Sequence, residues 1–342
     1  EPQILLLDEP GANLDHKSRT TLFSILRHLV TQNSCAIVCT THYSDIPLTG
    51  ANFWEIKNSQ IRPKSQYPET NSNPEKFAQT ILPPLKPENQ QSHISNHFQP
   101  ATVIQVHNVI VQRNNKVVLD DIHFQLKKGD TWAILGENGS GKSTFLRLLL
   151  GEIHPLPGGD IKWWGKSKIS LWELRQKIGF VSPELRTMFR PETTVFELVA
   201  SGLLGTLGIC RNLTEKQKNS VLEWLHKWKA DTLTQRPIHT LSSGQLQKAL
   251  LLRALINNPK VLLLDEPLTG LDEKTRYYFL SILKTVAEDA AVNQTTALVM
   301  STHYPQEVQH FISKGIILNQ GRIVYQGNFK ESINAWLNQG GI

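Results

Sequence analysis

The sequence predicts an α/β protein built around a phosphate-binding loop. Residues 136–144 read GENGSGKST, which fits the pattern GxxxxGK[ST]. An apolar run with the length of a buried strand precedes this loop, and residues 142–150 have the composition of a helix. Two further apolar runs, at 4–7 and 261–264, have the length and composition of buried parallel strands, and each is followed by Asp-Glu-Pro.

The loop pattern indicates a nucleotide site. Glycines let backbone N–H groups turn toward a polyphosphate, the Lys142 ammonium reaches its β and γ groups, and the Ser143 hydroxyl binds Mg²⁺. We therefore expect ATP and Mg²⁺ as ligands. The candidate nucleotide-binding residues of the loop are Gly136, Glu137, Asn138, Gly139, Ser140, Gly141, Lys142, Ser143 and Thr144.

Composition limits the class of protein. A chain of 342 residues with 39% hydrophobic and 19% charged residues suits a globular protein with two domains. No apolar run approaches the ~20 residues of a membrane span, and no basic region leads into an apolar stretch at the start, so we expect neither secretion nor an integral membrane protein. Three cysteines are too few for a disulfide framework, which favours a reducing cytoplasm.

The net charge of +6 is unevenly distributed. Residues 1–100 carry 8 basic and 9 acidic side chains, so the rest of the chain is the basic part. A basic cluster there has two interpretations: a solvated face, or contact with an acidic partner, a membrane surface or nucleic acid. Its members are Lys162, Lys166, Lys168, Arg175, Lys177, Arg186 and Arg190.

Part of the sequence occurs twice. The apolar strand and its Asp-Glu-Pro repeat at an offset of 257 residues, and after a four-residue insertion Thr-His-Tyr repeats at an offset of 261. The first copy has no counterpart of the phosphate loop and opens without Met, so we expect it to be only the C-terminal end of a domain. Its candidate residues are Asp8, Glu9, Asp15 and His42, which match Asp265, Glu266, Asp272 and His303.

We predict three segments. Residues 1–61 form the partial first copy and residues 101–342 a complete second unit. Between them, residues 62–100 are rich in Pro, Asn, Gln and Ser, which predicts an extended or disordered linker. In the second unit we expect a hairpin from 102–111 and 121–126, a strand at 178–181, helices within 192–228, and a helix that opens at 241–245 and ends at Asn258-Pro259.

Three side chains complete a candidate hydrolytic site. Asp265, at the end of its strand, is placed to hold Mg²⁺, and Glu266 to orient or deprotonate the attacking water. His303, after the apolar run 297–301, can hydrogen-bond the γ-phosphate and hold the base in line. Taken singly, each has a structural alternative: Asp-Glu-Pro can be an ordinary turn, and a lone histidine can be structural.

The phosphate loop, a Ser-Ser-Gly-Gln segment before the acidic strand and a downstream histidine together resemble the ATP-binding cassette (ABC) family. That resemblance implies a RecA-like core with an antiparallel β subdomain and a helical subdomain, and two cassettes head to tail around two ATPs. It also implies that Asp272 communicates between sites, and that the partner cassette is the chain's own upstream half or a second copy. The candidate signature residues are Leu241, Ser242, Ser243, Gly244 and Gln245.

The chain departs from the family pattern at three positions. Arg113 stands where an adenine-stacking aromatic is usual, and a guanidinium can also stack on a base. Ser182 stands where a glutamine usually contacts Mg²⁺ and the membrane subunit, and Lys248 replaces an arginine. The Ser-Pro-Glu at 182–184 and the tandem arrangement resemble the ModF/PhrA group, which is linked by name to molybdate.

This resemblance predicts an ATP hydrolase that drives a transport system, cytoplasmic or peripheral on the inner face of the membrane, with a membrane permease subunit as partner. One alternative is a soluble tandem cassette that acts on ribosomes or nucleic acid. The basic second unit favours this alternative, whereas the linker's lack of long charged helices argues against it. Another is a nucleotide-binding regulator with little turnover, which the presence of Glu266 and His303 disfavours. The transported substrate is not encoded in these residues.

Overall fold

The structure is a computed structural model that describes residues 4–8, 10, 16–32, 36–40, 53–57, 60–64, 101–208, 212–293 and 296–338. The chain folds as two compact units that divide near residue 81. Within the described ranges, every helix is too short or too polar to cross a membrane.

The N-terminal unit contains two neighbouring parallel strands with a helix between them in the chain, and an antiparallel hairpin. Ile4 lies beside Ala36 and Asp8 beside Thr40 in the parallel pair. The intervening helix buries Phe23 and Leu26, which are one turn apart on one face. The elements are β1 (Ile4–Asp8), α1 (His16–Thr31), β2 (Ala36–Thr40), β3 (Phe53–Lys57) and β4 (Gln60–Lys64).

The predicted linker begins too early. Residues 62–64 belong to β4, whose Pro63 lies opposite Trp54 of β3. A two-stranded hairpin has only edge strands, and an edge strand accommodates proline because its outer N–H groups need no partner. Residues 65–100 of the predicted linker lie outside the described residues.

The C-terminal unit is built on a six-stranded sheet in the order β13-β12-β7-β11-β10-β9. All neighbouring pairs are parallel except β12 with β13. Every residue of β7 and β10 is buried, because layers cover both faces of the sheet. The strands are β7 (Thr131–Leu135), β9 (Ile178–Val181), β10 (Val261–Leu264), β11 (Ala297–Ser301), β12 (Lys314–Asn319) and β13 (Arg322–Asn328).

A second, antiparallel sheet has the order β6-β5-β8. It contains the predicted hairpin, as β5 (Thr102–Arg113) and β6 (Lys116–Lys127), and β8 (Asp160–Trp163) joins its edge. The two strands of the hairpin meet at Asn114 and Asn115, which both have positive φ, the backbone that a two-residue hairpin turn requires.

Helices complete the unit. The first follows the phosphate loop over the residues that the sequence predicts, and three later ones begin with capping boxes at Thr194, Thr214 and Ser242. The helices are α2 (Lys142–Leu150), α3 (Leu171–Lys177), α4 (Val195–Leu204), α5 (Glu215–Lys227), α6 (Ser243–Leu255), α7 (Glu273–Asn293), α8 (Pro305–Val308) and α9 (Phe329–Asn338).

Two hydrophobic cores lie on opposite faces of the large sheet. Ala133 and Leu135 of β7 belong to a core shared with α4, α5 and α6, whereas Trp132 and Ile134 belong to one shared with the antiparallel sheet and α2. This alternation follows from the two-residue repeat of a strand. Because β7, β11 and β10 are parallel neighbours, their carboxyl ends lie at one edge of the sheet, where the candidate site residues lie.

Candidate nucleotide-binding site

The phosphate loop connects β7 to α2 and is packed closely between neighbouring strands. A Cβ on Gly136 would lie 2.5 Å from the carbonyl oxygen of Leu318 in β12. Gly141 has φ of 110°, and a Cβ there would lie 2.9 Å from a methyl of Leu119 in β6. These two positions need glycine because strands hold the loop on both sides.

The Lys142 ammonium lies inside the loop. Its Nζ donates to the carbonyl oxygens of Gly136 and Glu137, at 2.8 and 3.0 Å, and lies 4.0 Å from Oε1 of Glu266. The side chain is 4% exposed. A bound polyphosphate would give this buried cation charged acceptors in place of two neutral carbonyls, which is the stronger interaction.

The Ser140 hydroxyl is a second indication that the loop binds an anion. The buried Oγ of Ser140 has no hydrogen-bond partner among the described residues. It lies in the same loop as the N-terminal amides of α2, which form an anion-binding end of a nine-residue helix. Of the other predicted loop residues, Gly141 and Thr144 are buried, whereas Glu137, Asn138 and Gly139 are exposed.

Asp265 directly follows β10 and is 3% exposed. Burial raises the pKa of its carboxyl group, and hydrogen bonds from the Ser143 and Ser301 hydroxyls act in the opposite direction. The Ser143 hydroxyl therefore lies within hydrogen-bonding reach of Asp265. A carboxylate and a hydroxyl are hard oxygen donors of the kind that Mg²⁺ prefers, so the residues present fit this ion.

Glu266 and His303 also meet, with 2.8 Å between Oε1 and Nε2. Burial acts to raise the pKa of Glu266, but the His303 hydrogen bond and the charges of His303 and Lys142 leave that pKa below its ordinary value. Glu266 has φ of 44°, an uncommon backbone for a side chain of this size. The site thus keeps an ionised carboxylate beside the phosphate loop.

The signature segment opens α6. The Ser242 hydroxyl accepts from the Gln245 N–H, while the Gln245 side chain accepts from the Ser242 N–H and from Arg236. Gly244 is buried against α7, where an added Cβ would lie 2.4 Å from Thr275. Leu241 and Gln245 are half-buried, and the serines of the segment are exposed.

Asp272 lies at the N-terminus of α7. Its carboxylate accepts from both the N–H and the hydroxyl of Thr275, at 3.0 and 2.7 Å. Thr275 also touches Gly244, so one threonine links Asp272 to the signature helix. No sequence motif pointed to Thr275.

The three departures have different surroundings. Arg113 is exposed at the end of β5, and Ser182 is buried just after β9. Two residues later, Glu184 pairs with Arg147 of α2 at 2.7 Å. Lys248 lies 4.9 Å from the Tyr278 ring, and burial lowers the pKa of its ammonium.

In the first copy, Asp8 is the last residue of β1, whereas Glu9, Asp15 and His42 lie outside the described residues. In the second copy, sequence reasoning missed Ser301, which hydrogen-bonds both the Asp265 side chain and the Glu266 backbone. A signal for it existed: Ser301 matches Thr40 in the duplication, so both copies have a hydroxyl before Thr-His-Tyr.

A family model described as ABC transporter matches residues 119–269. The chain is 30% identical over 332 residues to ABC transporter ATP-binding protein C323.04 of Schizosaccharomyces pombe, with 94% of this chain and 65% of that protein covered. It is 30% identical over 323 residues to ABC transporter ATP-binding protein ModF of Escherichia coli, with 90% and 64% covered. The chain thus spans slightly less than two thirds of both relatives.

The ABC transporter ATP-binding protein YlmA of Bacillus subtilis is 32% identical over 234 residues, which are 68% of this chain and 87% of that protein. Among solved structures, a dimeric ATP-binding cassette in a post-hydrolysis state with ADP and Pi superposes with a TM-score of 0.56 at 25% identity. That alignment covers 66% of this chain and 98% of the cassette. The chain therefore belongs to the ATP-binding cassette family of ABC transporter proteins.

Proposed function

We propose that this chain binds and hydrolyses ATP as the motor subunit of an ABC-type transport system. One observation carries the proposal: the Glu266 carboxylate is bonded to His303 and lies 4.0 Å from the buried Lys142 ammonium of the phosphate loop. A base, its orienting group and the phosphate-binding cation thus occupy one site. Phosphoryl transfer to water depends on this positioning and on charge stabilisation.

Each residue has a proposed role. Lys142 exchanges its loop carbonyls for the phosphate oxygens of ATP, and the loop amides and the Ser140 hydroxyl bind the same groups. Ser143 and Asp265 would hold Mg²⁺, which, when bound, neutralises charge on the phosphates. Glu266 accepts a proton from the attacking water, while His303 fixes its carboxylate in line. Arg113 would stack on the adenine.

We propose that a second cassette completes the site. In that arrangement the signature segment, residues 241–245, reaches the nucleotide of the facing cassette, and Asp272 connects the two sites. The exposed serines of the segment and the dimeric cassette with ADP and Pi support this proposal. The partner is the upstream half of the protein or a second copy of this chain.

The N-terminal unit supports a tandem arrangement. At an offset of 257, β1 matches β10 and the start of α1 matches the start of α7; at an offset of 261, β2 matches β11 and β3 matches the first five residues of β12. We propose that residues 1–64 are the C-terminal part of a first cassette, residues 65–100 a linker and residues 101–342 the second cassette, with a RecA-like core, an antiparallel β subdomain and a helical subdomain.

A membrane permease is the proposed partner in transport. Molybdate is the proposed cargo class because the Ser-Pro-Glu at 182–184 and the tandem arrangement resemble the ModF/PhrA group, and ModF is among the relatives. The chain would then lie in the cytoplasm, peripheral on the inner face of the membrane. The ribosome or nucleic-acid alternative has less support, because three members of the basic cluster already have acidic partners. These ion pairs are Lys162–Asp160, Arg175–Glu152 and Lys177–Glu173.

ATP hydrolysis by three forms of the chain tests the proposal. The wild type should hydrolyse ATP with Mg²⁺, and Glu266→Gln should lose about 100-fold or more of the rate while it still binds ATP. Glu223→Gln, at an exposed glutamate of α5, is the matched control and should retain the wild-type rate. Wild-type protein that binds ATP but shows no Glu266-dependent turnover contradicts the motor function and favours a regulator.

A further inference from the structure

Ser301, the last residue of β11, connects the two acidic residues of the site. Its side chain is fully buried. Its Oγ donates to Oδ1 of Asp265 at 2.7 Å and accepts from the N–H of Glu266 at 2.9 Å. One hydroxyl therefore contacts both the carboxylate that faces Ser143 and the peptide that carries Glu266.

The direction of both bonds is fixed by chemistry. An ionised carboxylate only accepts, so the Ser301 proton must point at Asp265. A backbone N–H only donates, so a lone pair of the same oxygen must face Glu266. The hydroxyl is thereby locked in one orientation, and removing it would leave a buried acceptor and a buried donor without this partner, which is costly.

The bond between the Glu266 N–H and Ser301 is important because of the backbone conformation of Glu266. Its φ of 44° is a conformation that side-chain-bearing residues rarely adopt without restraint from their surroundings. The bond from its N–H to Ser301 restrains this peptide at one end, and the bond from its carboxylate to His303 restrains the side chain at the other.

We propose that Ser301 is a positioning residue that couples the Mg²⁺-binding carboxylate to the catalytic carboxylate, by orienting Asp265 and holding the Glu266 backbone in its uncommon conformation. This inference rests on the proposed ATPase function. Ser301 acts through Asp265 and Glu266 and does not itself contact the nucleotide.

The duplication supports this role independently. In the N-terminal unit Thr40 lies beside Asp8 in strand register, at the position that matches Ser301 and Asp265. The two copies thus differ in residue type, but both have a hydroxyl-bearing residue at this position of the duplicated sequence. Thr40 also identifies the conservative substitution for the test.

Threonine and valine have nearly the same shape, so Ser301→Thr and Ser301→Val separate the hydroxyl from the volume of the side chain. We expect Ser301→Thr to keep kcat within a few-fold of wild type. We expect Ser301→Val to lose about 10-fold to 100-fold in kcat, as the loss of a hydrogen bond to a charged group implies, with a much smaller change in KM. If Ser301→Val does not fold, Ser301→Ala replaces it, because alanine adds no bulk.

A second measurement does not depend on turnover. Binding of a fluorescent ATP analogue is titrated with Mg²⁺ and, separately, with EDTA. Ser301→Val should lose several-fold of the affinity that Mg²⁺ adds, because Asp265 is misoriented, and should match wild type in EDTA. A merely structural role would weaken binding equally under both conditions.

The outcomes distinguish the two proposals. A wild type without ATP hydrolysis overturns the proposed function, and the Mg²⁺ titration then decides the role of Ser301 alone. The inference is overturned if Ser301→Thr and Ser301→Val behave alike in the hydrolysis assay, or if the Mg²⁺-dependent gain in affinity is unchanged in Ser301→Val.

Discussion

The two units contain matching strands that differ sharply in burial. Leu6 of β1 is 74% exposed, whereas its counterpart in β10, Leu263, is fully buried. Val38 of β2 is 59% exposed, and its counterpart Val299 in β11 is fully buried. Among the described residues β1 pairs only with β2, whereas β10 and β11 lie inside a six-stranded sheet with a core on each face. An apolar sequence thus specifies a strand, but its burial depends on the layers around it.

The two units also differ in the motifs that they contain. Both copies have Asp-Glu-Pro and Thr-His-Tyr, but the phosphate-loop pattern occurs once, at 136–144, in the C-terminal unit. There, long-range packing brings Lys142, Glu266 and His303 into one site. Motif residues become a candidate active site only where the sheet places the loop beside them.

The largest expected effect tests this contrast on the two histidines. His303→Ala should lower ATP hydrolysis by about 100-fold, because Glu266 loses the group that orients its carboxylate. The matching change His42→Ala should leave the rate of the C-terminal site unchanged. Steady-state phosphate release measures both variants, and equal losses would show that the two copies contribute alike.

The next effect concerns stability. Leu263→Ala should destabilise the C-terminal unit by about 2–5 kcal/mol, because it leaves a cavity in a fully buried strand. Leu6→Ala should cost less than about 1 kcal/mol, because the side chain is largely exposed.

Urea unfolding followed by tryptophan fluorescence reports mainly on the C-terminal unit, since seven of the eight tryptophans lie beyond residue 100. Leu263→Ala is measured in the Trp54→Phe background, which removes the remaining signal, whereas Leu6→Ala, in the N-terminal unit, is followed by hydrogen exchange of β1 and α1. A comparable loss for Leu6→Ala would mean that β1 is covered in solution.

The smallest expected effect is a pH dependence at Glu266. The pKa of this carboxyl is depressed in the folded protein, because the bond and charge of His303 outweigh the raising effect of burial. A group with a depressed folded pKa stabilises the protein above its unfolded pKa, and this contribution is lost as the pH falls through the folded pKa. Relative to Glu266→Gln, the wild type should therefore lose stability as the medium is acidified.

Thermal unfolding at a series of pH values measures this difference, with Glu223→Gln as the control at an exposed glutamate. A wild type that gains stability relative to Glu266→Gln as the medium is acidified would contradict the depressed pKa.

Local features of the fold follow directly from the sequence. Helix α2 begins at Lys142 and ends at Leu150 as predicted, because the glycine-rich loop before it and Gly151 after it are local signals. The hairpin is also predicted, although its strands run further, to the turn at Asn114 and Asn115. The boundary of the linker is wrong by three residues, because pairing with β3 outweighs the prolines.

Contacts between distant residues were not accessible to the same reasoning. The bond from Ser301 to Asp265 joins residues 36 apart, and its geometry depends on how β10 and β11 end at the same edge. The ion pair of Arg147 with Glu184 and the contact of Gly244 with Thr275 also depend on packing between elements. Sequence patterns identified the motif residues, whereas the groups that hold them needed the fold.

The most direct test of the account is the specific ATPase activity of this chain measured over a wide range of protein concentration. If a second copy supplies the signature segment to the Lys142 site, specific activity should rise with concentration and fall toward zero at high dilution, and Glu266→Gln should abolish it throughout. A full, constant specific activity at high dilution would contradict the account, because a single cassette would then complete the site by itself.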